Sequence, residues 1–294
     1  RRVKEAGKPV VMTMHDMWAM TGLCHYAHDC QRWRDDECRN CPLPGCRTWA
    51  HEVWMQKQRT WRGITFVGCS EWIADLARQS GLLRGNRVMA IPNAIDVRVF
   101  SPEGDVCGEL PSDKRVVLFA AQKVTDPRKG MALLVKAWQR LPADDRVGSV
   151  LGAKAETLAG QIPQRVYVLG YQDSAQRIAA IYRAAAVYVT PSLSDNLPNT
   201  IMEAMACGVP CVGYAVGGIP EMIDHRVNGY VAQAASPDDV AAGIVDVLAH
   251  RDQYAAEAVH KVHQRYMGSR VAALYEQCYE AAAQRSKFAE HIVD

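Results

Sequence analysis

Short apolar runs alternate with stretches of helical periodicity along nearly the whole chain. In the first third, residues 9–14 (PVVMTM), 63–67 (GITFV) and 87–91 (RVMAI) read as strands. Between them, 48–62 reads as an amphipathic helix. Residues 71–79 form a second helix capped by Ser70, with Ile73 where a full capping box would carry an acid. The pattern then repeats with strands at 115–122 (RVVLFAAQ), 147–151, 166–169, 187–190 and 209–214, and a further short strand enters from the turn at Asn228-Gly229-Tyr230. Helical periodicity covers 130–140, 174–185, 201–207 and 237–250, and it runs from Arg251 to near the end. Strand and helix alternating in this way predict an α/β fold with right-handed parallel sheets. The stretch 101–113 (SPEGDVCGELPSD) is rich in Pro, Gly and acids, the composition of a boundary. The expected domains are 1–105 and 106–265, followed by a terminal helix at 266–294.

Composition narrows the picture only a little. The chain has 294 residues, 49% of them hydrophobic, enough for two domains with a sizeable core. A net charge of +2 without a dense basic cluster gives no argument for a nucleic-acid partner. No apolar run approaches the ~18 residues of a membrane span, and no secretory signal is evident. The chain opens on Arg1-Arg2 in what reads as mid-helix, without a starting Met, which suggests a piece lacking the beginning of its first domain. Of ten cysteines, six are scattered singly or sit in apolar helix and strand contexts, as reduced core residues of a cytoplasmic protein are.

The stretch 187–214, VYVTPSLSDNLPNTIMEAMACGVPCVGY, carries the densest chemistry. It reads as strand, polar turn, helix and strand, with Gly208 and Pro210 stopping the helix. Open parallel sheets bind ligands at the loops leaving their strands, and a helix N-terminus there suits a phosphate. Asp195 before the helix and Glu203 about a turn inside it could accept hydrogen bonds from sugar hydroxyls on either side of that phosphate. A structural reading stands beside this one, with Asp195 and Asn199 as caps and Glu203 solvated.

The run Asp195, Asn196, Leu197, Pro198, Asn199, Thr200, Ile201, Met202, Glu203, Ala204, Met205, Ala206, Cys207, Gly208, Val209, Pro210 resembles the signature of GT-B glycosyltransferases of family 4. That signature has two acids separated by seven residues and an Ala-Met-Ala-Cys-Gly-x-Pro helix end. Asp195 stands where the family usually has Glu, one methylene longer. The resemblance covers nearly the whole chain and implies two doubly wound Rossmann-like domains, the first one partial here. It also implies a C-terminal helix crossing back to the first domain, and a nucleotide-sugar donor bound mostly by the second.

On this resemblance Glu203 matches the residue that holds the nucleotide ribose, and His15, after the first strand, matches a His facing the donor sugar. Without it, a lone His is more often structural. Arg128 and Lys129 lie between a strand end and a helix start, where two cations would neutralise a diphosphate, although a charge pair in a loop is commonly just solvated. Lys129-Gly130 matches the family's Lys-Gly. The family's earlier Arg has no counterpart, Gln122 and Lys123 taking its place, and Arg128 is inferred as its substitute. Asn93 and Asp96 lie in PNAID, which is similar to the family's Pro-Asn-Gly-Ile-Asp element. Residues 15–26, HDMWAMTGLCHY, resemble a bacterial subset that includes the colanic acid and exopolysaccharide biosynthesis enzymes.

The implied function is transfer of a sugar from a UDP- or GDP-linked donor to the hydroxyl of a glycan or lipid-linked acceptor. Configuration would be retained, and the chemistry itself needs no metal. A lipid-linked acceptor would place the enzyme at the inner face of the membrane, peripherally. The implied residues are Arg128, Lys129 and the helix start at 198–201 for the diphosphate, Glu203 for the ribose, and Asp195 with His15 for the sugar, with Asn196, Leu197, Pro198, Asn199 and Thr200 all counted as donor-binding. Rival readings are a nucleotide-sugar-binding protein without transfer activity and a GT-B epimerase, the latter disfavoured by the absence of an acid/base pair for ring deprotonation.

Separately, Cys24, Cys30, Cys38 and Cys41 fall within eighteen residues, with Cys46 beyond. Cys38-x2-Cys41 is a suitable knuckle for a structural Zn²⁺ site closed by four thiolates. Two local disulfides or free thiols are the other readings.

Overall fold

The computed structural model describes residues 7–142, 146–158, 161 and 165–290. By its internal contacts the chain divides into two compact units, residues 1–93 with 269–294 and residues 94–268.

The first unit is built on a three-stranded parallel sheet in the order β1-β2-β3, with β1 (Val11–Met14), β2 (Thr65–Gly68) and β3 (Arg87–Ala90). Helix α1 (Trp49–Thr60) lies between β1 and β2, and α2 (Glu71–Gln79) between β2 and β3. Ser70 Oγ accepts from Ile73 N at 3.1 Å and starts α2 as its sequence predicts. Ile73 and Ala77 then face a core that includes Phe66, Trp54 and Leu83.

The second unit carries six parallel strands in the order β6-β5-β4-β7-β8-β9. In chain order these and their helices are β4 (Arg115–Lys123), α3 (Met131–Trp138), β5 (Arg146–Ala153), β6 (Val166–Gly170), α4 (Ala175–Arg183), β7 (Val187–Thr190), α5 (Asn199–Ala206), β8 (Cys211–Tyr214), the single turn α6 (Ile219–Met222), β9 (Gly229–Ala232), α7 (Pro237–Ala249) and α8 (Arg251–Arg265). The β7 and β8 strands are buried along their whole length, which is why they read as continuous apolar runs rather than as alternating ones. Val117, Phe119, Val150, Val189, Val212 and Ile244 are among the residues of the shared core. The order is that of a doubly wound sheet, and the direction of winding reverses between β4 and β7.

Two expectations meet a different outcome. The stretch 101–113 belongs to the second unit, where Arg183 clamps it through the carbonyls of Val99 (3.0 Å), Ser101 (2.9 Å) and Asp105 (2.7 Å). Its composition follows from loop geometry rather than from freedom. The predicted continuous helix from Arg251 breaks after Arg265. There Ile95 N donates to the carbonyl of the buried Tyr266 at 2.9 Å, and Ile95 and Met267 form a parallel bridge. The last helix, α9 (Gly268–Glu290), then packs Val271 and Cys278 against Val67 and Ile91 of the first unit. Its Tyr275 hydroxyl hydrogen-bonds Thr13 on β1 at 2.9 Å. Among the described residues no helix is long and apolar enough to cross a membrane.

Candidate functional site

The loops after β4, β7 and β8 converge at the carboxyl end of the second sheet, at its point of reversal. After β4, Pro127–Lys129 form one 3-10 turn, and Asp126 caps it by accepting from Arg128 N at 3.0 Å. Gly130 follows with φ +70°, and a Cβ there would stand 1.8 Å from the Pro191 carbonyl oxygen, so only glycine fits. The same close approach lets Leu193 N donate to Arg128 O at 2.7 Å, which joins the β4 and β7 loops. Gly217 makes the second such contact: with φ +58°, its Cβ would lie 1.7 Å from the Asp195 carbonyl oxygen. Next to it, Gly218 N donates to Asn196 O at 2.8 Å and ties in the β8 loop.

This bracing brings Lys129 and Asp195 together. Lys129 Nζ donates to Asp195 Oδ2 at 2.6 Å, with the side chains 27% and 14% exposed. The sequence assigns them separately, one to a phosphate and one to a sugar; in the structure they hold each other. Arg128 Nη2 is engaged by Asp126 Oδ2 at 2.7 Å. Burial pushes the Asp126 carboxyl up, but hydrogen bonds from the Arg128 side chain and backbone, with the Arg128 and Lys129 charges, outweigh it and hold the pKa below the usual value. Asn196, Leu197 and Pro198 are buried, Thr200 is half-buried and Asn199 is exposed.

Helix α5 begins beside this pair. Its N-cap is Pro198, and no side chain caps it there, so the reading of Asp195 and Asn199 as caps does not hold. Ile201, Met202 and Met205 are fully buried and seat the helix, each worth about 1.5–3 kcal/mol of burial. Glu203 lies on the opposite side from these, half-buried, and accepts from Tyr182 Oη at 3.0 Å. Burial raises its carboxyl pKa, opposed by the Tyr182 hydrogen bond. Tyr182 is itself fully buried, edge-on to both Tyr188 and Phe100. Tyr188 Oη donates to Ala120 O at 3.2 Å and also hydrogen-bonds Thr200. A tyrosine pair from α4 and β7 therefore fixes two successive turns of α5 from below.

Tyr182 is the residue that sequence reasoning missed. Its only signal was a place on the apolar face of a predicted helix, shared with every core residue there. His15 stands exposed at the end of β1, in the first unit, and is not among the residues the second unit brings together. Cys24, Cys30, Cys38 and Cys41 also belong to the first unit, and all ten cysteines are free. Among the described residues no group of three or more His, Cys, Asp or Glu side chains stands ready to hold a metal ion.

Taken together, the second-unit site offers two ion pairs, Lys129–Asp195 and Arg128–Asp126 in the adjoining turn, a helix start without a side-chain cap and a carboxyl held by a buried hydroxyl. Such a set can accept an anion at the helix start and bind hydroxyls on either side of it.

Residues 114–250 match the family model described as Glycosyl transferases group 1. D-inositol 3-phosphate glycosyltransferase of Geodermatophilus obscurus is 31% identical over 194 residues, 58% of this chain and 42% of that protein. N-acetyl-alpha-D-glucosaminyl L-malate synthase of Bacillus anthracis is 32% identical over 122 residues, 40% of this chain and 31% of the relative. The matches therefore span less than half the length of these curated relatives. Among solved structures, sucrose-phosphate synthase from Thermosynechococcus elongatus superposes with a TM-score of 0.73 at 21% identity, covering 95% of this chain and 68% of that one. HepE of Anabaena, solved in complex with UDP-glucose, gives 0.70 at 18% identity, covering 94% and 72%. At such identities the likeness speaks for the fold alone, and that fold is the GT-B type that the sequence predicts.

Proposed function

We propose that this chain, whose residues 114–250 fall within the group 1 glycosyl transferases, moves a sugar from a nucleotide-diphosphate donor to an acceptor hydroxyl. The observation that carries the reading is the meeting of the Lys129–Asp195 pair with the start of α5 at the reversal between β4 and β7, the place where open α/β sheets bind nucleotides. Lys129, with Arg128 beside it and the backbone from Asn196 to Thr200, receives the diphosphate. Glu203 takes the ribose hydroxyls, its carboxylate oriented by Tyr182. Asp195, released from Lys129 when the donor arrives, turns to the sugar, a role that the resemblance also gives to His15. The leaving diphosphate gathers charge as the glycosidic bond breaks, and fixed positive groups stabilise that charge without a protein nucleophile. That chemistry fits transfer with retention and needs no metal.

The donor is UDP- or GDP-linked, and the first domain receives the acceptor. The stretch at 15–26 favours a polysaccharide or lipid-linked acceptor of the exopolysaccharide type, handled at the cytoplasmic face of the membrane. Thermal shift against a panel of UDP- and GDP-sugars tests the site first. A donor at about 100 times its Kd adds ~2.7 kcal/mol of stability. Acceptor-dependent release of nucleoside diphosphate then separates transfer from binding. No shift with any donor overturns the reading; a shift without release in the presence of glycan and lipid-linked acceptors overturns transfer.

A further inference from the structure

The Cys-rich stretch of the first unit is not used by the proposed reaction. Residues 21–48 contain no helix or strand, yet they hold Thr21, Ala27 and Trp33 deeply buried. Segments without secondary structure longer than about 12–15 residues are uncommon in compact domains unless they are functional or cross-linked. Cys24, Cys30, Cys38 and Cys41 all line one cavity of about 20 Å³, whose walls also include Trp33 and Ala50. Each of the four is half-buried.

We propose that these four thiols form a structural zinc site which cross-links the stretch from Cys24 to Cys41. The thiols share the cavity but do not converge on one point, so binding requires them to rotate inward. The space of about 20 Å³ has room for a single ion among the thiols. Four sulfur donors, two of them in the Cys38-x2-Cys41 knuckle, suit tetrahedral Zn²⁺.

The surroundings are already those of a thiolate site. Gly22 N donates to Cys38 Sγ at 3.2 Å, an outer-shell hydrogen bond that favours the anion. Lys57 Nζ donates to the carbonyls of Trp18, Thr21 and Gly22 at 2.7, 2.9 and 3.0 Å, fixing the turn that carries this N–H. Gly22 lies so close to α1 that a Cβ would stand 2.2 Å from the Ala50 carbonyl oxygen. Zn²⁺ binds thiolates, so its binding releases thiol protons and affinity rises with pH.

The test is independent of any activity. The full chain, purified under reducing conditions without chelator, should contain one zinc per molecule by mass spectrometry. Mercurial titration of its thiols should release that zinc to a chromogenic chelator. Stripped protein given Co²⁺ should show thiolate-to-cobalt charge transfer and the intense visible bands of a tetrahedral site. Stripping should also lower the melting temperature, and Zn²⁺ alone should restore it, a readout that stands even where Cys38→Ser or Cys41→Ser fails to fold. Those two variants should lose zinc, while Cys46→Ser keeps it. A metal-free chain whose melting temperature ignores added Zn²⁺, disulfides among the four cysteines, or iron with acid-labile sulfide would each overturn the assignment. Equal zinc loss in Cys46→Ser overturns the four-ligand set.

Discussion

Replacing Lys129 with Met removes the charge and keeps most of the stem. The ammonium is 2.6 Å from Asp195 Oδ2, both side chains being largely covered. At an effective dielectric constant of about 20 the gross attraction over that distance is roughly 6 kcal/mol. Desolvation of the two ions cancels most of it. Exposed pairs contribute about 0–1 kcal/mol and loss of one partner from a buried pair costs about 3–5, so a partly covered pair lies near 1–3 kcal/mol. Lys129→Met should lose stability in that range, because Asp195, the less exposed partner, keeps its charge. Asp195→Asn should lose less, since Lys129 can turn toward water. If Lys129 faces a leaving diphosphate as proposed, its loss should cost about 2.7–4 kcal/mol, or ~10²–10³ in kcat. Denaturant titration, calorimetry with the donor and nucleoside diphosphate release measure the three quantities. Single-mutant effects that add within about 0.5 kcal/mol in the double mutant would refute the coupling of the pair. Unchanged donor affinity and kcat in Lys129→Met would refute its role.

Three further outcomes follow from the same site. Because burial raises the Glu203 carboxyl pKa, the folded state holds this proton where the unfolded chain has released it. Stability therefore falls as pH rises from the ordinary carboxylate range through the raised value. Glu203→Gln should melt higher than the parent at pH 7 and lose that advantage near pH 4, about the free carboxyl's pKa; a pH-independent difference would disprove the cause. Tyr182→Phe removes the donor to Glu203 at a cost of about 1–3 kcal/mol in stability and should raise KM for the donor more than it lowers kcat. Unaltered melting and KM would show that the hydroxyl orients nothing. Gly217→Ala forces a methyl against the Asp195 carbonyl at positive φ and should cost about 1–3 kcal/mol, whereas Gly108→Ala, which meets open space, should stay within about 0.5 kcal/mol. Equal melting temperatures for the two would contradict the packing.

The strands of the second unit were legible because a sheet covered on both faces needs near-continuous apolar runs, as in 115–122 and 187–190. The turn at 192–200 announced itself by its proline and polar residues, and Lys129 and Glu203 lie where loop and helix patterns put them. Partnerships were a different matter. Lys129 and Asp195 are 66 residues apart, and nothing local encodes their contact. Arg128 is paired with Asp126, two residues earlier, a contact that the loop's composition does not announce. Tyr182 shares its helix face with Ala179 and was indistinguishable from core. The break at Tyr266 was invisible because Ile95, far away in sequence, supplies the hydrogen bond that ends α8.

Arg183 gives the stretch after Asp96 a reach beyond its own surface. Anyone trimming the chain to its second half would cut near position 106 on composition, discarding Phe100 and the three carbonyls that Arg183 holds. Phe100 backs Tyr182, and Tyr182 aims Glu203. A shortened protein starting there would keep the strands of its sheet but leave Glu203 without its brace. Starting at Ala94 keeps that support.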